Sequence, residues 1–325
     1  MNIILEQVLS DDLKSEMDLF NEALEVIGKD MDDFMGELLS YVLFNSGKRI
    51  RPILVALGSS LGESNHSHVR GIEMAVELIH IATLVHDDII DKADMRRGQK
   101  TVSSKHGVDT AVLLGDYLYT LAFNQIAEVS NNEIFKLLVQ TASVICSGEI
   151  EQLNTRFQYN LSEDEYYSFI QRKTASFFGA AVRSGAVLAK QDLKIQEALD
   201  AYGVNLGMGF QIKDDLLDLT GDEELVGKTL RTDLINRKMT LPLIHYRNSM
   251  DIPEDFDRLM NQLKSTDSHL SDLVSKVTDA GSIKYAEEVA GKYIQKALDC
   301  LDELPDGTPK DQLSDLAKQS LKRKS

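Results

Sequence analysis

Apolar residues return at intervals of three and four along most of this chain. In "EMAVELIHIATLVHDDII", Met74, Leu78, Ile81, Leu84 and Val85 fall on one stripe, the spacing of an amphipathic helix. The stretch "AVLLGDYLYTLAFNQIAEV" (111–129) is apolar nearly all round, which predicts a central, buried helix. "SEDEYYSFIQRKTASFFGAAVRSGAVLA" opens on a capping box, Ser162 standing three residues before Glu165. Alternating strand patterns are short and rare. None of the five prolines lies between Ile53 and Leu241, and proline breaks helix interiors, so this long stretch suits helix after helix. Gly58, Gly62, Gly98, Gly107, Gly148, Gly185 and Gly221 read as points where helices stop and restart. No linker or repeat divides the chain. The expectation is an all-α fold of ten or more helices in a single domain over 1–325, with 305–325 forming a loop and a last surface helix.

Charge narrows the choice of partners. The 325 residues hold 35 basic and 52 acidic side chains, a net charge of −17, which argues against nucleic acid as a partner. Any anion site must be built from local Lys and Arg. Cys146 and Cys300 sit in apolar-periodic segments with no CxxC, so they read as buried, reduced thiols of a cytoplasmic protein. The N-terminus turns acidic by residue 11, unlike a signal peptide, and no run of about 18 apolar residues predicts a transmembrane segment.

The charges that matter are clustered. In "LVHDDIIDKADMRRGQKTV" Asp87 and Asp91 are four apart with Asp88 beside them, so one helix face carries like charges amid apolar residues. Such a face persists where something positive binds, and hard carboxylate oxygens suit Mg²⁺. "GFQIKDDLLDLTGD" repeats the pattern with Asp214, Asp215 and Asp218. Two such faces opposed across a cavity would hold several Mg²⁺ ions around one diphosphate, whose departure leaves a carbocation. The basic residues form islands: Lys48, Arg49 and Arg51 in "SGKRIRP"; Arg96 and Arg97; Arg172 and Lys173; Lys228 and Lys238. Together with the aspartates they suggest two diphosphates, one held through metal and one by Lys and Arg directly.

The ordered motifs "GKRIRP", "ELIHIATLVHDDIIDKADMRRGQKTV", "LLGDYL", "RKTA", "GFQIKDDLLDLTGDEELVGK" and "DLINRKMTLP" resemble those of the trans-isoprenyl diphosphate synthases, the polyprenyl synthetases. The resemblance implies a helical bundle of the isoprenoid synthase type around a central substrate cavity. It implies Mg²⁺-dependent condensation of isopentenyl diphosphate with an allylic diphosphate such as farnesyl diphosphate, with up to three Mg²⁺ ions per site. Carried over residue by residue, Lys48, Arg51, His80 and Arg97 would bind isopentenyl diphosphate. Arg96, Lys173, Lys228 and Lys238 would hold the allylic diphosphate. Asp87, Asp91 and Asp214 would ligate metal, with Asp88, Asp215 and Asp218 completing the two sets. Lys173, Thr174 and Gln211 would be the catalytic residues, Thr174 and Gln211 stabilising the allylic cation with oxygen dipoles. The departing diphosphate would take the proton, so no protein base is required. His86 has no assigned role. A homodimer is expected, with 111–129 as its interface, and contact with a membrane would be transient, for product release.

Product length bears on two small residues. The growing tail runs away from the aspartates, along the helix that carries them, past Thr83 and Ala82. Bulky aromatic residues at these places stop growth early in the family. Their absence implies hexaprenyl to nonaprenyl products for quinone side chains such as that of menaquinone, with Leu118, Tyr119 and Phe123 on the next helix as the floor. A shorter farnesyl or geranylgeranyl product, and a catalytic subunit needing a small accessory partner, remain alternatives. A terpene cyclase would not need Lys48, Arg51 and His80, and a non-catalytic subunit would not keep both aspartate sets. Arg231 and Arg237 stand where the family often has glycine, and they bring the loop after the second aspartate set into question.

Overall fold

The computed structural model describes residues 9–29, 31, 33–44, 47–155, 158–221, 232–262 and 267–322. Among them are sixteen α-helices and one hairpin of two-residue strands, so the fold is all-α as expected. Contacts group the chain into two compact units, each assembled from separate stretches. One comprises Met1–Ala142, Phe178–Gly203 and Cys300–Leu316; the other comprises Ser143–Phe177, Val204–Asp299 and Ala317–Ser325.

In the first unit, α1 (Asp11–Lys29) and α2 (Asp33–Leu43) lead to α3 (Ile50–Ser59) and the long α4 (His66–Ile90). Asn65 caps α4 by accepting the N–H of Ser67 at 2.9 Å. The helix is buried on more than one side: Ile72, Ala75, Val76, Leu78, Ile79 and Ala82 are all fully enclosed. Each large apolar side chain buried this way contributes roughly 1.5–3 kcal/mol. After α4 come β1 (Met95–Arg96), β2 (Gln99–Lys100), α5 (Val102–His106) and α6 (Val108–Val129). Arg97 and Gly98, at the tip of the hairpin, have φ of 51° and 76°, the positive values a type I′ turn requires.

α6 packs antiparallel along α4. Gly71 of α4 meets Val129 near the end of α6, and His86 near the end of α4 meets Gly115 near its beginning. The expectation of a helix buried on every side is corrected: Val108, Val112 and Leu113 are 53%, 40% and 68% exposed. Three glycines read as helix stops, Gly58, Gly148 and Gly185, instead lie inside helices. A Cβ on Gly58 of α3 would fall 2.2 Å from the carbonyl oxygen of Val182, and one on Gly185 would fall 2.1 Å from that of Val55. At this crossing α3 and the later helix α9 (Ser176–Leu188) touch backbone to backbone, which only glycine permits.

α7 (Asn132–Asn154) carries Cys146, which is exposed, while Cys300 is half-buried; both are free thiols, and the expectation of buried cysteines is corrected. In the second unit the predicted capping box opens α8 (Glu163–Ile170): Ser162 Oγ accepts the N–H of Glu165, and the Glu165 carboxylate accepts the N–H of Ser162. α8 runs into a single π-helical turn at Gln171–Ala175, a feature common at functional sites. α10 (Leu193–Thr220) is followed in the described residues by α11 (Thr232–Ile235), α12 (Leu241–Asn248), α13 (Pro253–Gln262), α14 (Asp267–Asp279) and α15 (Ser282–Cys300). Tyr166, Phe169, Ile212, Leu216, Ile244 and Phe256 belong to its core. The last helix, α16 (Thr308–Lys322), buries Leu313, Leu316 and Ala317, so the predicted surface helix is anchored along one side.

Candidate active site

In the first unit the basic residues gather around α4. His80 lies among Arg51, Arg97, Arg96 and Arg49; burial first, and then these cations, push its imidazole well below the usual range. The ring is therefore neutral at pH 7. Burial lowers the Arg51 guanidinium to about 10 against the pull of Glu77, and it lies 4.9 Å over the ring of Phe178. Arg97 rests on Gly47: a Cβ there would sit 2.5 Å from its Nη2. Lys48 stands between Gly47 and Arg49, half-buried.

Arg49 serves the architecture. It has φ of 52°, donates from Nη1 to Glu77 Oε1 at 2.5 Å and from Nη2 to the Leu43 carbonyl at 2.6 Å. Glu77 is buried, so this ion pair ties the segment that carries Lys48 and leads into α3, with Arg51 in its first turn, to α4.

α4 ends inside the first aspartate set. Asp87 and Asp88 are in its last turn, and Asp91 is its C-cap, whose N–H bonds the Asp87 carbonyl at 2.8 Å. The three therefore keep helical spacing. Asp88 accepts Nε–H of Arg96 at 2.8 Å; burial pushes its carboxyl up and Arg96 pulls it back. Part of the charge conflict in the sequence is thus settled between two residues of the same motif. A pocket beside them is lined by Tyr41, Ile81, Leu84, Val85, Asp88, Arg96 and Arg97.

His86, unassigned by sequence, is wedged against α6. Nε2–H donates to the Val112 carbonyl at 3.2 Å, the Asp116 carboxylate is 3.7 Å away, and the ring lies 6.2 Å from that of Tyr119. Thr83 donates to the His80 carbonyl at 2.7 Å and Ala82 is buried. The antiparallel packing sets these two residues level with Leu118 on α6. Leu118 is buried, while Tyr119 and Phe123 stack at 6.1 Å.

In the second unit, Lys173 and Thr174 lie in the π-helical turn and Gln211, Asp214, Asp215 and Asp218 on α10. Lys173 pairs with Glu149, and Arg172 with Glu151. Thr174 Oγ1 donates to Gln211 Oε1 at 2.9 Å, and Gln211 Nε2 donates to Asp215 Oδ1 at 2.8 Å. Tyr166 donates to Asp215 Oδ2 at 2.7 Å. Burial and then Asp233 push the Asp215 carboxyl up to about 8, against the two hydrogen bonds it accepts. Asp218 accepts Thr232 Oγ1 at 2.8 Å and the N–H of Asp233 at 3.0 Å, capping α11. Lys238 is 3.7 Å from Asp233, and Arg237 has φ of 57°. Lys228 and Arg231 lie outside the described residues. Sequence reasoning missed Tyr166, Glu77 and Glu149. Nothing local marks them, because each acts on a partner distant in sequence.

Among the described residues no three His, Cys, Asp or Glu side chains converge into a metal cage. Both aspartate sets nevertheless sit at the C-terminal ends of long helices, where the helix dipole is negative, and neither last turn contains a basic residue. Anions so placed are stabilised by a cation. One or two carboxylates per ion, leaving places for water and phosphate oxygens, suit Mg²⁺.

Residues 32–280 match the polyprenyl synthetase family. The chain is 34% identical to component 2 of heptaprenyl diphosphate synthase from Geobacillus stearothermophilus over 95% of both chains. It is 33% identical to octaprenyl diphosphate synthase from Escherichia coli, over 92% of this chain and 93% of that one. The crystal structure of a polyprenyl synthase from Caulobacter crescentus, complexed with calcium and isoprenyl diphosphate, superposes with a TM-score of 0.93 at 30% identity, covering 99% of this chain and 98% of that one. Motif order, helical architecture and these relatives agree: the chain belongs to the polyprenyl synthetase family, the trans-isoprenyl diphosphate synthases, on its medium- to long-chain side.

Proposed function

We propose that this prenyltransferase condenses isopentenyl diphosphate onto an allylic diphosphate such as farnesyl diphosphate, extending it to hexaprenyl to nonaprenyl length for quinone side chains. The observation that carries the reading is the make-up of α4. His80 stands among four arginines, and Asp87, Asp88 and Asp91 close the same helix two turns on. An anion site and a cation site share one rigid element, which suits joining a diphosphate held by cations to one held through metal.

Lys48, Arg51, neutral His80 and Arg97 would hold isopentenyl diphosphate. Arg96, Lys173, Lys228 and Lys238 would hold the allylic diphosphate, Arg96 by leaving Asp88 and Lys173 by leaving Glu149. Asp87, Asp91 and Asp214 would ligate up to three Mg²⁺ ions, with Asp88 and Asp218 in support. Bound there, Mg²⁺ supplies the charge that draws electrons onto the leaving diphosphate. Thr174 and Gln211 present oxygen to the allylic cation. The double bond of isopentenyl diphosphate attacks that cation, and the departing diphosphate takes the proton. We read residues 1–325 as a single polyprenyl synthetase domain.

The relatives named as heptaprenyl and octaprenyl synthases support the product range, and the small Ala82 and Thr83 accord with it. Among the described residues no helix is long and apolar enough to cross a membrane, and we place the protein in the cytoplasm. The exposed Val108, Val112 and Leu113 on α6 favour pairing of two copies there. The relative named as a component 2 favours a small accessory subunit as well. The test is to incubate purified protein with Mg²⁺, isopentenyl diphosphate and farnesyl diphosphate, alone and with candidate partners, and to separate the products by chain length. Elongated product that disappears on chelation supports the reading; absence of elongation under every combination refutes it.

A further inference from the structure

We infer that Asp215 does not serve as a metal ligand but, with Tyr166, is a positioning residue that fixes which way Gln211 and Thr174 point their oxygens. This rests on the function proposed above. Four side chains form an unbroken hydrogen-bonded chain within the second unit. Tyr166 O–H donates to Asp215 Oδ2 at 2.7 Å. Gln211 Nε2 donates to Asp215 Oδ1 at 2.8 Å, and Thr174 Oγ1 donates to Gln211 Oε1 at 2.9 Å.

The direction of the Gln211 and Thr174 bonds follows from Asp215 Oδ1. Ionised, or protonated on the side of Tyr166, Asp215 offers Oδ1 as an acceptor, so the amide of Gln211 must turn its N–H₂ toward Asp215 and its carbonyl toward Thr174. The Thr174 hydroxyl then has an acceptor for its proton, and its oxygen lone pairs are what it has left to offer a cation. A Gln211 amide turned the other way would place positive N–H groups against Thr174 and make its hydroxyl accept. Burial makes this choice matter: Tyr166, Thr174 and Asp215 are 3%, 6% and 7% exposed, so water is a poor substitute for a lost partner. Burial separates Asp215 from the half-buried Asp214, and each Asp215 oxygen already accepts from a protein donor, so an ion would have to share both. The π-helical turn at Gln171–Ala175 sets Thr174 within reach of Gln211, and Tyr166 stands in the helix leading into that turn.

The test compares wild type with Tyr166→Phe, Asp215→Asn, Thr174→Val and the Tyr166→Phe/Thr174→Val double variant in the elongation assay, titrating each substrate and Mg²⁺. Tyr166→Phe should lower kcat by about tenfold to a hundredfold, the usual cost of losing an outer hydrogen-bond partner at a reactive site. KM for both substrates and the Mg²⁺ concentration giving half the maximal rate should stay put, because nothing that touches diphosphate or metal has changed. In the Thr174→Val background the Tyr166 change should cost little more, since the group it acts through is already gone. Asp215→Asn should repeat the kcat loss with an unmoved Mg²⁺ requirement. The inference is overturned if Asp215→Asn needs more Mg²⁺ and regains its rate when saturated, or if Tyr166→Phe turns over like wild type. Additive losses in the double variant overturn it too. Tyr166→Phe keeps the ring that packs in the core, so a failure of Asp215→Asn to fold leaves the decision with it. An inactive wild type refutes the proposed function and this inference together; an active wild type with any of the contrary results refutes the inference alone.

Discussion

The imidazole of His86 occupies the space that a side chain on Gly115 would need: a Cβ there would lie 2.1 Å from Nε2. The glycine of "LLGDYL" and the histidine of "LVHDDIID" are therefore two halves of one contact, which keys α4 to α6 one residue before the first aspartate. Alanine in place of glycine inside a helix ordinarily stabilises by about 1 kcal/mol. At this position overpacking opposes that gain, and Gly115→Ala should cost about 1–3 kcal/mol in chemical denaturation. Adding His86→Ala should recover much of the loss by emptying the space. A single Gly115→Ala variant as stable as wild type would show that the imidazole moves aside freely.

The Arg49–Glu77 pair makes a larger claim on stability. Both side chains are withdrawn from water, at 12% and 2% exposure. Removing one partner strands the other charge, so Glu77→Ala should destabilise by about 3–5 kcal/mol. Replacing both with apolar residues, as in Arg49→Met/Glu77→Leu, should cost less than Glu77→Ala alone. Equilibrium unfolding of wild type and the two variants checks the order. A larger loss for the double change than for Glu77→Ala would mean that the bond from Arg49 to the Leu43 carbonyl, and not the ion pair, anchors the loop.

These two contacts mark where sequence reasoning runs out. The stripe of α4, the Ser162–Glu165 capping box and both aspartate spacings are local, so three- and four-residue periods reveal them. The ion-pair partners of Arg49 and Lys173, the donor to Asp215, and the crossing of Gly58 with Gly185 join residues far apart in the chain, and no local pattern encodes them. Apolar content misled in two places. α6 is apolar all round yet leaves Val112 and Leu113 exposed, and Cys146 sits in an apolar-periodic helix with its side chain outward. Periodicity reports that a face is apolar, not what covers it.

Glu73 should make stability depend on pH. It is fully buried on α4, and neither carboxylate oxygen has a hydrogen-bond partner among the described residues. Burial, and then Glu16, push its carboxyl well above the usual range, with Arg70 pulling back. In the folded protein it keeps its proton after the unfolded chain has released it at about pH 4.3. The folded state then binds more protons, so its stability falls as pH rises from the ordinary glutamate range toward the raised folded value, by at most about 1.4 kcal/mol per unit. Glu73→Met removes that loss at similar volume. Its advantage over wild type in urea melts should be large at pH 7–8 and shrink toward pH 4. Parallel pH curves for the two proteins would contradict this assignment.

Thr83 tests the reading of product length. Its hydroxyl folds back onto the His80 carbonyl at 2.7 Å, and its position is level with Leu118 on the antiparallel α6. A phenylalanine there has no hydroxyl to tie back and extends from α4 one turn before Asp87. If the growing tail follows α4 away from the aspartates, this ring blocks it after fewer additions. Thr83→Phe should therefore shift the products to shorter chains while isopentenyl diphosphate KM stays close to wild type. The reciprocal change bears on the floor. Phe123 stacks on Tyr119 one turn further along α6, and Phe123→Ala opens that stack. Longer products from Phe123→Ala, together with shorter ones from Thr83→Phe, would place the tail between these two helices. An unchanged product pattern in both variants, measured by chromatography of the dephosphorylated products, would put the tail elsewhere.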